Sequence, residues 1–218
     1  MKRLIKILWC APFTVNVIVC LAVMSACSNV ALAQAKRPGA NIIATIVLGE
    51  LPQTPIYWHL DVYPTRAAAE AAKGARSTVV EAFDQVWLFT LAEAEWRSTG
   101  GNRTATIGPL PLGVGGGNFT ASYLQAATPP GFQTDVHQHS GPEALYTLSG
   151  EVCVETPQGK QVGRGGGEPL LIASGQPMQL TSVGTEIRRS FVLVLHDSSQ
   201  AWKVPASSWT PKGLCAGS

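Results

Sequence analysis

The chain has 218 residues, of which 45% are hydrophobic, and its 16 Lys and Arg against 14 Asp and Glu give a formal net charge of +2. Removing residues 1–35, which contain Lys2, Arg3 and Lys6, leaves 13 basic residues against 14 acidic ones. This near-neutral remainder has no cluster of Lys or Arg between aromatic residues, which excludes nucleic acid as the expected partner. The remaining length is enough for one domain with a hydrophobic core.

Residues 1–35 have the pattern of an export signal. Three basic residues at the start precede an apolar stretch over residues 7–24. Small residues then lead to Ala31-Leu32-Ala33, a signal-peptidase site of the A-x-A kind, with Ala33-Gln34-Ala35 as a second choice. The pattern predicts a cleaved leader and a periplasmic or secreted product.

Two other interpretations of the leader stay open. Met24-Ser25-Ala26-Cys27 is similar to a bacterial lipobox, so that cleavage before Cys27 would give a lipid-anchored protein. The apolar run is also long enough for an uncleaved anchor. All three interpretations export the domain, and each limits contact with a membrane to the leader or its lipid.

Strand patterns dominate the rest of the chain. Runs rich in β-branched and aromatic residues, separated by Gly and Pro, predict strands at residues 41–48, 56–63, 78–83, 85–91, 119–126, 144–150, 151–155, 169–173 and 191–195. Many short strands with turns between them indicate an all-β sandwich or barrel. One short helix is predicted over residues 66–73, with Thr65 as its N-cap and Gly74 at its end.

Residues 131–150 bring two histidines and a carboxylate within a few positions of each other. His137 and His139 are two residues apart, so both side chains leave the same face of a strand. Gly141 and Pro142 supply a turn, and a hairpin folded there returns Glu143 opposite the two imidazoles. Two His and one carboxylate on one side of an ion form the facial triad of non-haem iron sites.

The spacing of Gly131, His137, His139, Glu143 and Gly150 resembles the first motif of the cupin superfamily, and all five motif positions are filled. The resemblance covers about residues 118–197. It implies a double-stranded β-helix, also called a jelly-roll or cupin barrel, within a single domain over residues 36–218. Residues 41–108 then add strands to the barrel edge or cover its mouth. The resemblance also implies a homodimer paired through barrel edges.

The second cupin motif is incomplete. Gly167 and Gly175 match it, but Ala173 stands in the place of its Pro, Ser182 in that of its Asn, and Met178 in that of its His. In the family that His is usually the fourth protein ligand of the metal.

The resemblance therefore implies His137, His139 and Glu143 as the metal ligands and stops there. Three alternatives follow: a three-ligand site for iron, manganese, nickel or zinc completed by water, a copper site joined by Met178, or a metal-free pocket. Met178 and the neighbouring Gln179 are expected at the pocket. His59 and His196 are not assigned as ligands.

Alternation along the strand after the turn places Glu143, Leu145 and Thr147 on one face and Tyr146 on the other. An ion among apolar walls suits a small organic ligand. The resemblance implies a metal-dependent enzyme of the dioxygenase or isomerase type. The alternative is a non-catalytic binding or sensing protein, and the sequence does not decide between the two.

The cysteines divide between the leader and the domain. Cys10, Cys20 and Cys27 lie within residues 1–35, whereas Cys153 and Cys215 belong to the domain. In an oxidising compartment Cys153 and Cys215 could pair and tie the C-terminal tail to the barrel. The alternative is two free thiols.

Overall fold

The computed structural model describes residues 39–112 and 117–217 of the chain, which belong to one compact unit over residues 37–218. The predicted leader, with its cleavage sites and Cys27, lies outside the described residues. Over the described ranges, no helix is both long and apolar enough to span a bilayer. The elements in chain order are β1 (Gly39–Glu50), β2 (Tyr57–Tyr63), α1 (Arg66–Ala71), β3 (Ser77–Ala82), β4 (Gln85–Ala92), β5 (Asn102–Ile107), β6 (Asn118–Thr128), β7 (His137–Gln138), β8 (Glu143–Ser149), β9 (Glu151–Thr156), β10 (Gly159–Arg164), β11 (Leu170–Ile172), β12 (Gln179–Val183), β13 (Arg188–Asp197) and β14 (Val204–Pro205).

Three antiparallel sheets make up most of the fold, and the predicted all-β class is confirmed. The central sheet has the order β1-β6-β13-β8-β11, the outer sheet β3-β4-β2-β5, and the site sheet β10-β9-β12. Residues 131–139 extend the site sheet beyond β12, through bridges from Gln133 to Thr181 and from His137 to Met178. Strand β14 then pairs with β7.

The central sheet is buried on both faces. On the side of the site sheet, Leu145, Val192 and Val194 pack against Val154 and Leu180. On the opposite side, side chains of β6, β8 and β13 pack against the outer sheet. Burial on both faces explains why β13 carries the continuous apolar run FVLVL instead of the alternation typical of a half-exposed strand.

Aromatic side chains fill the interface between the central and outer sheets. Phe191 of β13 contacts the rings of Trp87 and Phe89 at centroid distances of 4.9 and 5.0 Å, both edge to face. Trp58 contacts Phe89 edge to face at 5.4 Å. Such pairs add to the gain from removing large apolar surfaces from water. The cluster therefore fixes the outer sheet on the central one.

The segment before the cupin-like motif has two different roles. Strand β1 pairs with β6 and extends the edge of the central sheet, as one of the two predicted roles requires. Strands β2 to β5 instead form the separate outer sheet, which packs on the face of the central sheet that points away from the two histidines. They do not cover the mouth of the barrel.

The predicted helix is present but ends earlier than expected. Its N-cap is Thr65, whose Oγ1 accepts a hydrogen bond from the Ala68 N–H at 3.1 Å. It ends at Ala71, and Ala72 closes the last turn by donating to the Ala69 carbonyl at 3.2 Å. Gly74 is not the helix end, because its N–H already donates to the Ser77 side chain at the start of the next strand.

The C-terminal tail is attached to β9 at two points. Cys153 and Cys215 are joined in a disulfide, with 5.7 Å between their Cα atoms. The buried carboxylate of Glu155 accepts hydrogen bonds from the backbone N–H groups of Lys212 and Leu214, the latter at 2.8 Å. The tail is thus fixed to the site sheet by a covalent bond and by charge-assisted hydrogen bonds.

We predict that replacing both cysteines, Cys153→Ser with Cys215→Ser, lowers the free energy of unfolding by about 4 kcal/mol. The bond spans a sequence separation of 62 residues, and constraining a loop of that length reduces the entropy of the unfolded chain. Urea unfolding with and without reductant measures the effect. Reductant should bring the wild type to the stability of the variant and leave the variant unchanged. Equal stability of oxidised wild type and variant would contradict the prediction.

Candidate metal centre

A tight turn places the start of β8 beside β7. Gly141 lies in this turn, where a Cβ atom would come within 1.8 Å of the Leu195 carbonyl oxygen. The Leu195 N–H donates to the Pro142 carbonyl at 3.0 Å. Only a residue without a side chain fits so close to the backbone of β13. The Gly-Pro turn therefore holds Glu143 at a fixed position next to the histidines.

The structure brings His137, His139 and Glu143 together. One potential ligand atom from each of the three lies within 4.8 Å of the other two. All three side chains are buried, with exposed fractions between 2% and 5%. Buried ionisable groups are rare unless they are paired or bind a metal, so their convergence in the interior demands an electrostatic partner.

Backbone carbonyls orient both imidazole rings. His137 donates from Nδ1 to the Asp135 carbonyl at 2.7 Å, and His139 donates from Nδ1 to the Trp202 carbonyl. The Trp202 ring also stacks on the His139 ring at a centroid distance of 5.8 Å. A carbonyl only accepts, so each Nδ1 carries a proton and each Nε2 is left for the site. Metal-binding histidines are typically held in this way.

The closest contact in the site joins His139 to Glu143. The His139 Nε2 and the Glu143 Oε2 lie 3.0 Å apart. With Nδ1 already protonated, a neutral His139 would point a lone pair at a carboxylate oxygen, which is repulsive. Either a proton or a cation must lie between the two atoms. Imidazole nitrogens that converge with a carboxylate oxygen are also a donor set of divalent metals such as iron and zinc, so the residues fit a metal.

Electrostatics favour the forms of Glu143 and His137 that bind a metal, namely the ionised carboxylate and the neutral imidazole. Burial alone would raise the pKa of Glu143, but the hydrogen bond and charge of His139, with the charges of His137 and Arg188, outweigh it and lower that pKa. Burial lowers the pKa of His137, although the Asp135 carbonyl and Glu143 oppose the effect. At neutral pH, Glu143 is therefore ionised and His137 neutral, as metal binding requires.

These three residues line a cavity of about 220 Å³ between the central and site sheets. Its apolar wall comes mainly from Leu124, Leu180, Val192 and Val194. The other lining residues are aromatic, charged or at the rim, namely Ala40, Phe132, Gln133, Thr134, Asp135, Arg188, Trp202 and Lys203. A cavity of this size suits a ligand of a few carbon atoms.

Met178 and Gln179, the two residues expected at the pocket, lie in other surroundings in the structure. Met178 is the β-bridge partner of His137, but it is 1% exposed and packs in the apolar cluster with Leu180 and Val194. Gln179 donates its side-chain amide to the Thr134 carbonyl at 3.1 Å. Neither residue lines the cavity. Gln179 does not line the cavity because side chains alternate along a strand, so that Gln179 points away from the face that Met178 shares with His137.

The remaining two histidines have other partners. His59 lies in the outer sheet, where its Nε2 donates to the Glu93 carbonyl at 2.9 Å and its Nδ1 is 2.6 Å from an Arg103 nitrogen. His196, on β13, donates from Nδ1 to the Asp197 carbonyl at 3.0 Å. Neither His59 nor His196 lines the cavity.

Comparison with known proteins found likeness only among solved structures. No protein-family model matches the chain, and no curated protein does. An RmlC-like cupin with a double-stranded β-helix from Methanocaldococcus jannaschii has 18% sequence identity and a TM-score of 0.32, over 34% of this chain and 67% of that one. An oxalate oxidase in complex with the substrate analogue glycolate has 20% identity and a TM-score of 0.33, over 38% of this chain and 45% of that one.

A DMSP lyase from Ruegeria pomeroyi is similar at 18% identity and a TM-score of 0.34, over 43% of this chain and 45% of that one. The chain thus spans less than half the length of the oxidase and the lyase that it matches. Several of the matched structures are described as cupins.

We predict that metal affinity depends on pH and on the Glu143 carboxylate. Protons compete with the ion for the Nε2 atoms, so affinity for Co²⁺ should fall below about pH 6, by about tenfold for each unit when one proton is released. Isothermal titration at pH 7.5 and 5.5 measures this change. Glu143→Gln should weaken binding at least about tenfold at pH 7.5, whereas Glu186→Gln, at an exposed carboxylate, should not. Equal affinity at both pH values would contradict the prediction.

Proposed function

We propose that this chain is an exported cupin-type barrel protein that holds a divalent metal and acts on, or binds, a small organic molecule. The observation that carries the proposal is the convergence of three buried side chains, His137, His139 and Glu143, at one cavity. The Nδ1 hydrogen bonds support it, because they turn the Nε2 atoms of both histidines toward the site and the Glu143 carboxylate.

The chain's own residues would hold, orient and shield the ion. Iron, manganese, nickel and zinc all accept imidazole nitrogen with carboxylate oxygen, and the donor set does not choose among them. When bound, such a metal supplies Lewis acidity and a template for the oxygen atoms of a ligand. The apolar wall around Val192 and Val194 limits water, and the small volume limits the size of the ligand.

The reaction that the cupin resemblance implies is oxygen-dependent oxidation or metal-assisted isomerisation or decarboxylation. Tyr146 is no general base for it, because its side chain packs on the outer-sheet side of β8. A copper site with Met178 as fourth ligand has less support, since Met178 packs in the apolar cluster and does not line the cavity.

A second candidate function is non-catalytic binding or sensing of a small molecule. The observation that favours it is Met178, an apolar residue at the position where the resemblance implies a fourth ligand. A weakened metal site is tolerable where no chemistry occurs. Metal content separates the two candidates, since an enzyme of this kind needs about one ion per chain and a binding protein needs none.

Export and assembly are part of the proposal. The pattern over residues 1–35 supports a periplasmic or secreted product, with a lipid anchor through Cys27 as the alternative. The disulfide of Cys153 and Cys215 supports an oxidising compartment. A homodimer is supported by β1, an edge strand of the central sheet on which Ile42 and Val47 are exposed by 46% and 75%.

We predict about one divalent metal per chain in protein purified from Lys36 onward without a chelator or a histidine tag, as measured by mass spectrometry. The double variant His137→Ala with His139→Ala should lose it, because two of the three ligands are gone. His196→Ala serves as the matched control and should keep the metal, since this histidine faces its own backbone and Ser122.

Absence of metal from the wild type would overturn the metal-dependent function if it persists after incubation with iron, manganese, nickel, zinc and copper. Metal that remains in the double variant would place the ion elsewhere. A stoichiometric metal that depends on the histidines would justify a screen of small organic substrates under that metal.

A further inference from the structure

A buried arginine shares the cavity with the three proposed ligands. Arg188 begins β13 and is 2% exposed. It has the strand parity of Val192 and Val194, which places its side chain on the same face, and it lines the cavity with them. Its Nε and Nη1 atoms have no hydrogen-bond partner among the described residues. The guanidinium that lines the cavity thus has donors from which no described residue accepts.

Its charge is only partly compensated by the protein. Burial lowers the pKa of Arg188 to about 10, and the charge of Glu143 acts in the opposite direction. The guanidinium is therefore still positive at neutral pH. The Glu143 carboxylate, however, is hydrogen-bonded to His139. Because an unpaired buried charge is unfavourable, an anion that reaches the guanidinium through the cavity would be bound strongly.

The backbone of Arg188 is held on both sides. Gly150 connects β8 to β9 with a φ of +67°, and a Cβ there would be 2.8 Å from the Arg188 Cα. On its other side Arg188 pairs with Thr128 of β6. The residue is therefore clamped between a glycine turn and a neighbouring strand, which makes its position a fixed feature of the cavity.

We propose that Arg188 binds the carboxylate of a small organic acid whose second oxygen-bearing group reaches the His137, His139 and Glu143 site. The contact of the second oxygen-bearing group with the His137, His139 and Glu143 site rests on the proposed function. The contact of the carboxylate with Arg188 does not depend on that function. A guanidinium matches a carboxylate through two parallel hydrogen bonds. The apolar wall of Leu124, Val192 and Val194 suits the short carbon chain between the two ends.

The charge of the whole cavity agrees with an anionic ligand. Lys203 lines it as a second cation, and the exposed Asp135 and the buried Glu143 are its acidic residues. A divalent ion held by Glu143 would leave the cavity positive overall. A neutral ligand of the same shape would leave the Arg188 charge uncompensated, so the site should discriminate against it.

The test uses malonate, succinate and glutarate, each compared with its neutral diamide, titrated into the purified protein by calorimetry with and without Co²⁺. At least one dianion should bind at least about tenfold more tightly than its diamide, as expected when a charge-assisted pair is lost. Arg188→Met, which keeps length but not charge, should abolish that preference. Arg188→Lys should retain part of it, because it keeps the charge without the planar fork.

Arg189→Met is the matched control. Arg189 is exposed and lies over the Phe83 ring at 6.0 Å, on the side of the outer sheet, so its replacement should leave the preference unchanged. Binding of the dianion by Arg188→Met as tightly as by the wild type would overturn the assignment. So would failure of the wild type to prefer any of the three dianions.

Metal content measured on the same samples separates this assignment from the proposed function. Arg188→Met should keep its Co²⁺, since Arg188 supplies no ligand atom. A preference for the dianion that depends on Arg188 in a protein that binds no metal would uphold the assignment while the metal-dependent function fails. A protein that binds metal but prefers none of the dianions would uphold the metal-dependent function while the Arg188 assignment fails.

Discussion

The 3.0 Å approach of the His139 Nε2 to the Glu143 Oε2 is the constraint on which the site depends. Neither atom can move away, because the Gly141 turn fixes Glu143 against β13 and the Trp202 carbonyl fixes the other nitrogen of His139. Two such atoms in a buried cavity are stable only with a positive charge between them. A divalent metal ion bound by both atoms would supply that charge.

The layers of the fold keep this arrangement in place. Because the central sheet is covered on both faces, β8 and β13 are held by apolar packing from the site sheet and from the aromatic cluster around Phe191. The segment after β13 supplies the Trp202 carbonyl and then pairs with β7 through β14. Beyond it, the tail is fixed through Cys215. The chain thus closes the site with residues distant in sequence.

The sequence predicted the parts of this arrangement that depend on local pattern. The spacing over residues 131–150 predicted the three clustered residues, and alternation predicted that Tyr146 faces away from them. Strands β5, β10 and β12 were missed, because NRTATI and GKQVGR are polar edge strands and QLTSV is a short, mostly polar one. Arg188 and Trp202 were missed as well, since only tertiary packing brings them to the cavity. An arginine beginning an apolar strand and a tryptophan after the last long strand were the available signals.

Anomalous diffraction from crystals soaked in Co²⁺ tests the central claim most directly, because it locates the ion and its ligands together. The ion should lie within bonding distance of the Nε2 atoms of His137 and His139 and of a Glu143 oxygen, with both Nδ1 hydrogen bonds intact. An ion bound elsewhere on the chain would contradict the claim. So would a cavity without cobalt at saturating concentration, with His139 and Glu143 still in direct contact.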